Sequence, residues 1–306
     1  MITIFLLLTF IQFSYSQELV YFDGSRAMEH LEYQCNFGPR FPGSSGHHNF
    51  QDSLKIFLDD LVEMNLVFKD TIVNPITNKK VEITNFLARF NPRASERIMI
   101  LAHWDTRQIA DKDLNYDNLE FPPVIGANDG ASGTAILMSL AEILSKNPLT
   151  KIGVDLLFLD AEDMGVYNKS DTWALGAKSF SKQIKNPLPK YAICVDMVGD
   201  KEQEFLIEEF SYMYAPEIVN KVWSLANELG YNQFKYIIGQ RIVDDHYVLY
   251  NNTGIPSINI IDFQYPNSKE NYWHTTQDTP DKCSAESLGA VGTVLATLIY
   301  REDNQK

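Results

Sequence analysis

Cysteine and basic residues are scarce in this chain of 306 residues. It has three cysteines, an odd number, so a disulfide framework does not define its fold. Cys194 lies in the apolar run YAICVDMV and is interpreted as core, whereas Cys35 and Cys283 either pair or remain thiols. Lysine and arginine number 26 against 40 acidic residues, which gives a net charge of -14. Nucleic acids and anionic membranes are therefore poor partners, because phosphate binding needs a basic face.

Long apolar runs are also lacking. The longest apolar stretch without charged side chains, MITIFLLLTFIQFSYS at residues 1–16, is short for a membrane span. It predicts a secretory signal peptide that is cleaved near Ser16, so we expect an exported protein, periplasmic or extracellular. The alternative is an uncleaved signal anchor, because the stretch has no Lys or Arg before its apolar part. Residues 17–306 contain no internal repeat and predict a single domain.

Strand and helix patterns alternate along most of the chain. Apolar residues at helical spacing between Asn49 and Met64 predict an amphipathic helix. The stretches VFKDTIVN and VEITNFLARF, joined by PITNKK, predict an antiparallel hairpin. Helical stretches separate the later predicted strands, which are RIMILAHWD, VDLLFLDAED, YAICVDMVGD, EFLIEEF and SINIIDF. This alternation predicts an α/β fold, a three-layer α/β/α sandwich with a central mixed, mostly parallel β-sheet.

Acids and histidines follow the ends of these strands, where such sheets bind their ligands. The segment LFLDAED, for example, places three acids after a buried strand: Asp160, Glu162 and Asp163. The whole series is His103, Asp105, Asp129, Glu162, Asp163, Asp196, Asp244, Asp245 and His274. Like charges gathered at one sheet edge need a counter-charge, and a divalent cation supplies one. Imidazole and carboxylate without thiolate suit catalytic zinc, whereas histidines are poor ligands for calcium or magnesium.

Six motifs then carry a family resemblance. They occur in the order AHWDT, GANDGASGTA, LFLDAEDMG, WALGAKSF, VDMVGD and NYWHTTQDT. In this order they resemble the zinc exopeptidase superfamily, which includes co-catalytic zinc aminopeptidases and glutaminyl cyclases. The opening GPRFPGSSGHH is similar to the cyclases as well, so the resemblance covers nearly all of residues 17–306. It implies one zinc-dependent catalytic domain.

The resemblance leaves two sets of metal ligands open. Aminopeptidases of this superfamily bind two metals, and this sequence has a residue at each of the five ligand positions: His103, Asp129, Asp163, Asp196 and His274. Glutaminyl cyclases bind one zinc, which the resemblance assigns to Asp129, Asp163 and His274. We therefore expect one zinc per chain for a cyclase and two metals for an aminopeptidase.

Three local features favour a cyclase of the bacterial type. Trp273 precedes the metal-binding histidine, where aminopeptidases usually have Tyr, and the segments DAED and Asp244-Asp245-His246 resemble cyclase motifs. Two features depart from the animal cyclases: GANDGASG is more like the aminopeptidases, and Asn259 stands where animal cyclases have His. Aminopeptidase activity remains the alternative.

A cyclase would convert the N-terminal glutamine of peptides or proteins to pyroglutamate and release ammonia. The resemblance implies that zinc polarises the γ-carbonyl, that Glu162 is the general acid and base, and that Asp196 and Asp244 are its carboxylate partners. Trp273 and Trp173 would wall the substrate pocket, with ordinary packing as the alternative for Trp173. A non-catalytic binding protein would be expected to have lost Glu162 or a metal ligand, and the sequence retains them all.

Other polar residues are given supporting roles. We expect His103 to hydrogen-bond at the edge of the site and Asp160 to support the turn around the ligands. His246 is interpreted as packed or capping, and His47 as a surface or structural residue. Asp111, in a long polar loop, is expected only to solvate it.

Overall fold

The computed structural model describes residues 21–113 and 122–304. The segment 1–16 and its predicted cleavage site lie outside the described residues. The helices are Gly24–Cys35 (α1), Ser45–Leu61 (α2), Ala131–Lys146 (α3), Leu175–Ser181 (α4), Glu209–Tyr214 (α5), Pro216–Glu228 (α6), Asp245–Thr253 (α7) and Ala285–Asn304 (α8). The strands are Met64–Val73 (β1), Lys80–Phe90 (β2), Arg97–His103 (β3), Gly153–Leu159 (β4), Ala192–Asp196 (β5), Phe205–Ile207 (β6), Phe234–Ile238 (β7) and Ser257–Ile261 (β8). No helix in these ranges has both the length and the apolar character needed to cross a membrane.

Six strands form the central sheet, in the order β1-β2-β4-β3-β5-β8. The pairs β1-β2 and β2-β4 are antiparallel, whereas β3-β4, β3-β5 and β5-β8 are parallel. The early hairpin thus makes the sheet mixed, as predicted. Every residue of β3, β4 and β5 is buried, which explains why these strands are unbroken apolar runs in the sequence.

Helices cover both faces of this sheet. Side chains alternate along each strand, so Ile98 and Ile100 point to one face and Met99 and Leu101 to the other. The first face packs against a layer that contains α1, α2, α3 and α8, and the second packs against α4 and α7. The predicted three-layer α/β/α architecture is confirmed.

The segment EFLIEEF differs from its prediction as one strand. Only β6 is extended, because the Glu208 carboxylate accepts the N–H groups of Phe210 and Ser211 at 3.0 and 2.6 Å and so caps α5. The strand β7 was not predicted; it pairs parallel with β6 in a separate two-stranded sheet. Helix α1, which begins after the capping residue Asp23, was not predicted either.

All three cysteines are free thiols. Pairing of Cys35 with Cys283, which the sequence left open, is not formed. Cys194 lies in β5 and is buried, as predicted for a core residue.

Candidate active site

The carboxyl ends of β3, β4 and β5 lie at one edge of the sheet and carry most of the predicted site. His103 ends β3, Asp196 ends β5, and Glu162 and Asp163 follow β4. One cavity of about 400 Å³ opens at this edge. All eight residues predicted from the sequence line it: Asp129, Glu162, Asp163, Trp173, Asp196, Asp244, Trp273 and His274.

A sharp turn after β4 brings Glu162 and Asp163 to the same cavity. Neighbouring side chains of an extended strand point in opposite directions, so the chain has to leave the strand conformation. It does so at Ala161, whose φ of 55° is left-handed, a conformation that is costly for a residue with a Cβ. The Asp105 carboxylate holds the turn by accepting the N–H groups of Glu162 and Asp163 at 3.0 and 3.2 Å.

Asp160, the first acid of this segment, points away from the cavity. Its carboxylate accepts the N–H groups of Thr84 and Ala161 at 2.7 and 2.8 Å. Nε2 of His47 lies 2.9 Å from the same carboxylate, and the His47 ring stacks on Trp104 with 4.6 Å between ring centroids. Both residues are buried. Asp160 therefore supports the turn, and His47 is structural and not on the surface.

The first group of potential metal ligands is Asp129, Asp163 and His274, whose donor atoms all lie within 4.8 Å of one another. Nε2 of His274 is 2.9 Å from Oδ1 of Asp163 and 3.6 Å from Oδ2 of Asp129. Asp163 is 1% exposed; within the described ranges its Oδ2 has no hydrogen-bond partner, and its Oδ1 has only the close approach to His274 and a longer one, 3.7 Å, to the Arg107 guanidinium. Buried carboxylates are costly unless a cation binds them. Two carboxylates and one imidazole fit catalytic zinc with an open position.

A second group of the same spacing consists of His103, Asp129 and Asp196. Nε2 of His103 is 3.2 Å from an oxygen of each carboxylate, and it is hydrogen-bonded to that of Asp196. Asp129 belongs to both groups. The arrangement can therefore hold one metal beside a hydrogen-bonded His103, or two metals bridged by Asp129.

Asp278 fixes the backbone that carries Asp129. Its carboxylate is fully buried and accepts the N–H groups of Asn128 at 2.8 Å and of Asp129 at 3.1 Å. The hydroxyl of Tyr265 donates to the same carboxylate at 2.8 Å. Gly130 follows with a φ of 101°, and a Cβ there would lie 2.3 Å from the Asp105 carbonyl oxygen. Glycine is thus required for this close approach.

Arg40 supports the same loop from the other side. It is fully buried, and its guanidinium donates to the carbonyls of Ile125 and Gly126 at 3.1 and 3.0 Å. It also donates to the carbonyl of Trp104 at 3.2 Å. The loops after β3 and before α3 are therefore tied to a residue near the start of the chain.

Aromatic rings enclose the cavity around His274. The Trp273 ring stacks on the imidazole with 3.7 Å between centroids, and the Trp173 ring lies nearly parallel to it at 5.8 Å. Phe263 packs against Trp273 at 4.9 Å. A Cβ on Gly165 would lie 1.9 Å from Trp173, so this glycine makes room for the ring. The indoles both limit the space beside the metal-ligand group and hold its histidine in place.

A sequence model of peptidase family M28 matches residues 85–299, more than half of the chain. The chain belongs to peptidase family M28. The crystal structure of a glutaminyl cyclase from Bacteroides thetaiotaomicron is similar to it with a TM-score of 0.88 and 31% identity, covering 94% of this chain and 100% of that one. The crystal structure of a glutaminyl cyclase from Tannerella forsythia is similar with a TM-score of 0.86 and 34% identity, again covering 94% of this chain and 100% of that one. The crystal structure of a leucine aminopeptidase precursor from B. thetaiotaomicron is similar with a TM-score of 0.85 and 32% identity, covering 94% of this chain and 99% of that one.

The M28 chain also has curated relatives that are longer than itself. Aminopeptidase YwaD of Bacillus subtilis is 26% identical over 200 residues, which is 61% of this chain and 39% of that protein. Similar proteins thus bear both cyclase and aminopeptidase names. The choice between the two activities has to come from the site of this M28 chain.

Burial and like charges dominate the electrostatics of the M28 site. Burial, with the nearby carboxylates of Asp244 and Asp245, raises the pKa of Glu162 well above its usual range. Burial also raises the pKa of Asp196 to about 7, although His103 opposes the shift. The amide of Asn259 donates to the Asp244 carboxylate. A raised pKa lets Glu162 take up a proton more readily than an exposed carboxylate does, as a general acid and base requires.

Two residues of the M28 site were missed by the sequence analysis. Asp111 was expected to solvate its loop, and this is wrong: Oδ1 lies 3.4 Å from Nδ1 of His274, on the ring edge opposite the metal-ligand group. Arg107 donates to Asp111 at 2.7 Å and to the carbonyl of Asp163 at 2.9 Å. A carboxylate on the second nitrogen of a metal-binding histidine orients the ring. This known pairing of a carboxylate with a metal-binding histidine could have suggested that some acid contacts His274, but only the fold shows that the acid is Asp111.

Proposed function

We propose that this chain is a glutaminyl-peptide cyclotransferase, which converts the N-terminal glutamine of peptides or proteins to pyroglutamate and releases ammonia. The observation that carries the proposal is Glu162, a buried carboxylate that lies in the same cavity as the Asp129, Asp163 and His274 group without belonging to it. The similarity to two bacterial glutaminyl cyclases along nearly the whole chain supports it.

Asp129, Asp163 and His274 would hold one zinc ion. When bound, zinc supplies Lewis-acid polarisation of the substrate's γ-carbonyl and stabilises negative charge on its oxygen. The Oδ2 atom of Asp163, which is buried without a hydrogen-bond partner among the described residues, is the observation that fits the ion. A count of one follows from the resemblance to the glutaminyl cyclases, and His103 would then keep its hydrogen bond to Asp196 beside the zinc site.

Glu162 would move the proton during ring closure. The α-amine nitrogen forms a bond to the γ-carbonyl carbon, the bond from that carbon to the amide nitrogen breaks, and ammonia leaves. Glu162 takes the proton that the amine loses and delivers it to the departing nitrogen. Asp244 keeps the proton affinity of Glu162 high by holding negative charge beside it, and Asp196 would be the second carboxylate partner, hydrogen-bonded to His103.

The two indoles would orient the substrate. Both reacting groups belong to one residue, so the enzyme gains most by holding the glutamine in a folded conformation and by excluding water. Trp173 and Trp273 line the cavity and can enclose the glutamine side chain from the sides of His274.

A co-catalytic aminopeptidase is the second candidate. The His103, Asp129 and Asp196 group has the spacing of a second metal site, and the similarity to the leucine aminopeptidase precursor favours this activity too. Purified protein should be incubated with a glutamine-headed peptide and, separately, with leucine amide. Cyclised peptide, ammonia and about one zinc per chain are expected; free leucine with two metals per chain would refute the cyclase proposal.

We also propose that the protein is exported by residues 1–16. Cleavage after Ser16 would place Gln17 at the new N-terminus, where it is itself a substrate for cyclisation. Intact mass of the protein from the culture medium or periplasm should show loss of residues 1–16 and of one ammonia. An unprocessed N-terminus in the membrane fraction would favour the signal anchor.

A further inference from the structure

A second cavity, of about 240 Å³, adjoins the active-site cavity. Four residues line both of them: Gln240, Ile242, Ile261 and Phe263. The remaining lining residues of the second cavity come from β6 and from the loops around β6, β7 and β8: Glu204, Leu206, Glu208, Gly239, Asp262 and Gln264. The second cavity is therefore within reach of a peptide whose first residue occupies the active site.

The walls of this second cavity are acidic. Three carboxyl groups line it, and among the described residues no lysine, arginine or histidine does. Two of the three already have a nitrogen partner: Nε2 of His246 lies 2.9 Å from Glu208, and Nζ of Lys235 lies 3.8 Å from Glu204. His246 is thus the packed, structural histidine that the sequence predicted.

Asp262 is the third carboxyl group, and it forms no ion pair with any described residue. It is 2% exposed and accepts the backbone N–H groups of Glu204 at 2.8 Å and of Gln264 at 3.0 Å. Burial raises its pKa to about 7, and the carboxylates of Asp200 and Glu204 add to the shift. A buried carboxylate at the wall of an open cavity lacks a counter-charge that an incoming cation would supply.

We propose that the second cavity binds a basic side chain that closely follows the N-terminal glutamine of the substrate, with Asp262 as its partner. This inference rests on the proposed cyclase function and names its substrate class. The shared wall of Ile242, Ile261 and Phe263 is apolar, so it suits the methylene stem of a lysine or arginine, whose charged end then reaches the carboxylate.

Steady-state ammonia release from four peptide amides tests the inference: Gln-Lys-Ala-Ala, Gln-Ala-Lys-Ala, Gln-Ala-Ala-Ala and Gln-Glu-Ala-Ala. One of the two lysine peptides should have a kcat/KM about tenfold above that of the alanine peptide, mainly through a lower KM, because a charge-assisted contact commonly contributes this factor. The glutamate peptide should be the poorest substrate. In Asp262→Asn the ratio of lysine to alanine peptide should fall to about one.

Asp200→Asn is the matched control. Asp200 is a neighbouring carboxyl group, 1% exposed, that lines neither cavity. Because its charge raises the pKa of Asp262, its removal should keep or increase the lysine preference and should not lower it. If Asp262→Asn does not fold, Glu204→Gln replaces it: this side chain is 53% exposed and lies on the cavity wall, and the preference should fall part of the way.

The two proposals fail in different ways. Equal kcat/KM for lysine and alanine peptides, or a preference that Asp262→Asn and Glu204→Gln leave unchanged, would overturn this inference while ammonia release upholds the cyclase. Absence of ammonia from all four peptides would overturn the proposed function and this inference with it.

Discussion

Replacing Asp278 by asparagine should weaken metal binding without touching a metal ligand. The carboxylate accepts three hydrogen bonds, from the N–H groups of Asn128 and Asp129 and from the hydroxyl of Tyr265. An asparagine oxygen can still accept from Asn128 and Tyr265, which share Oδ1 in the wild type. Its amide group would then face the N–H of Asp129, leaving that buried donor without an acceptor.

The structure sets the size of the effect. One buried unsatisfied N–H costs about 1–3 kcal/mol of unfolding free energy, and loss of a residue that orients a metal ligand costs about 10- to 100-fold in affinity. Denaturant unfolding of the metal-free protein measures the loss of unfolding free energy, and competition with a chromophoric zinc chelator measures the loss of zinc affinity. Tyr265→Phe is the control, because it keeps both N–H acceptors and should cost about 1 kcal/mol with zinc affinity near wild type. Wild-type zinc affinity in Asp278→Asn would refute a positioning role.

Three further predictions concern other parts of the site. Glu162→Gln should lower ammonia release by about 10²- to 10⁴-fold while zinc content stays at the wild-type value, and retained activity would remove Glu162 from proton transfer. His274→Ala should bind less than one zinc per chain, whereas wild-type protein stripped by a chelator should regain activity when zinc is returned; full zinc in the variant would contradict the assigned ligand group. Burial would raise the pKa of Glu208, but His246 and backbone N–H groups outweigh it and lower the pKa to about 2 from 4.5. A carboxylate whose pKa is lower in the folded than in the unfolded state stabilises the fold at pH values above the unfolded-state pKa, so Glu208→Gln should cost about 3 kcal/mol of unfolding free energy at pH 7. Denaturant unfolding should show the stability difference between wild type and variant shrinking as the pH falls from 4.5 toward 2. A difference that does not change with pH would contradict the lowered pKa of Glu208.

The central sheet could be predicted because its signal is local. The strands β3, β4 and β5 are buried throughout, so each is an apolar run bounded by polar residues. The misassigned region shows the limit. Glu208 sits in a segment with strand-like composition, but its carboxylate caps the next helix, and β7 is a strand because it pairs with β6. Neither interaction is visible in a pattern of single residues.

The site was predictable to the same extent. Strand ends converge by topology, so the acids and histidines that follow them could be placed at one edge before their distances were known, whereas Trp173 and Trp273 were predicted from the family resemblance. Arg107, Asp111 and Asp278 act instead on partners that are far away in the sequence. Asp278, for example, accepts from Asn128, 150 residues earlier. Their contribution depends on loop conformations that residue spacing does not encode.

Residues ahead of the M28-matched region help to build the working enzyme. The match begins at residue 85, yet Arg40 donates hydrogen bonds to the carbonyls of Ile125 and Gly126. Likewise, Nε2 of His47 lies 2.9 Å from the Asp160 carboxylate that supports the turn after β4. A fragment that starts at residue 85 would lack the guanidinium that binds those carbonyls and the imidazole that contacts that carboxylate. The smallest autonomous catalytic unit is therefore larger than the stretch that sequence similarity delimits, and expression fragments should begin upstream of α1.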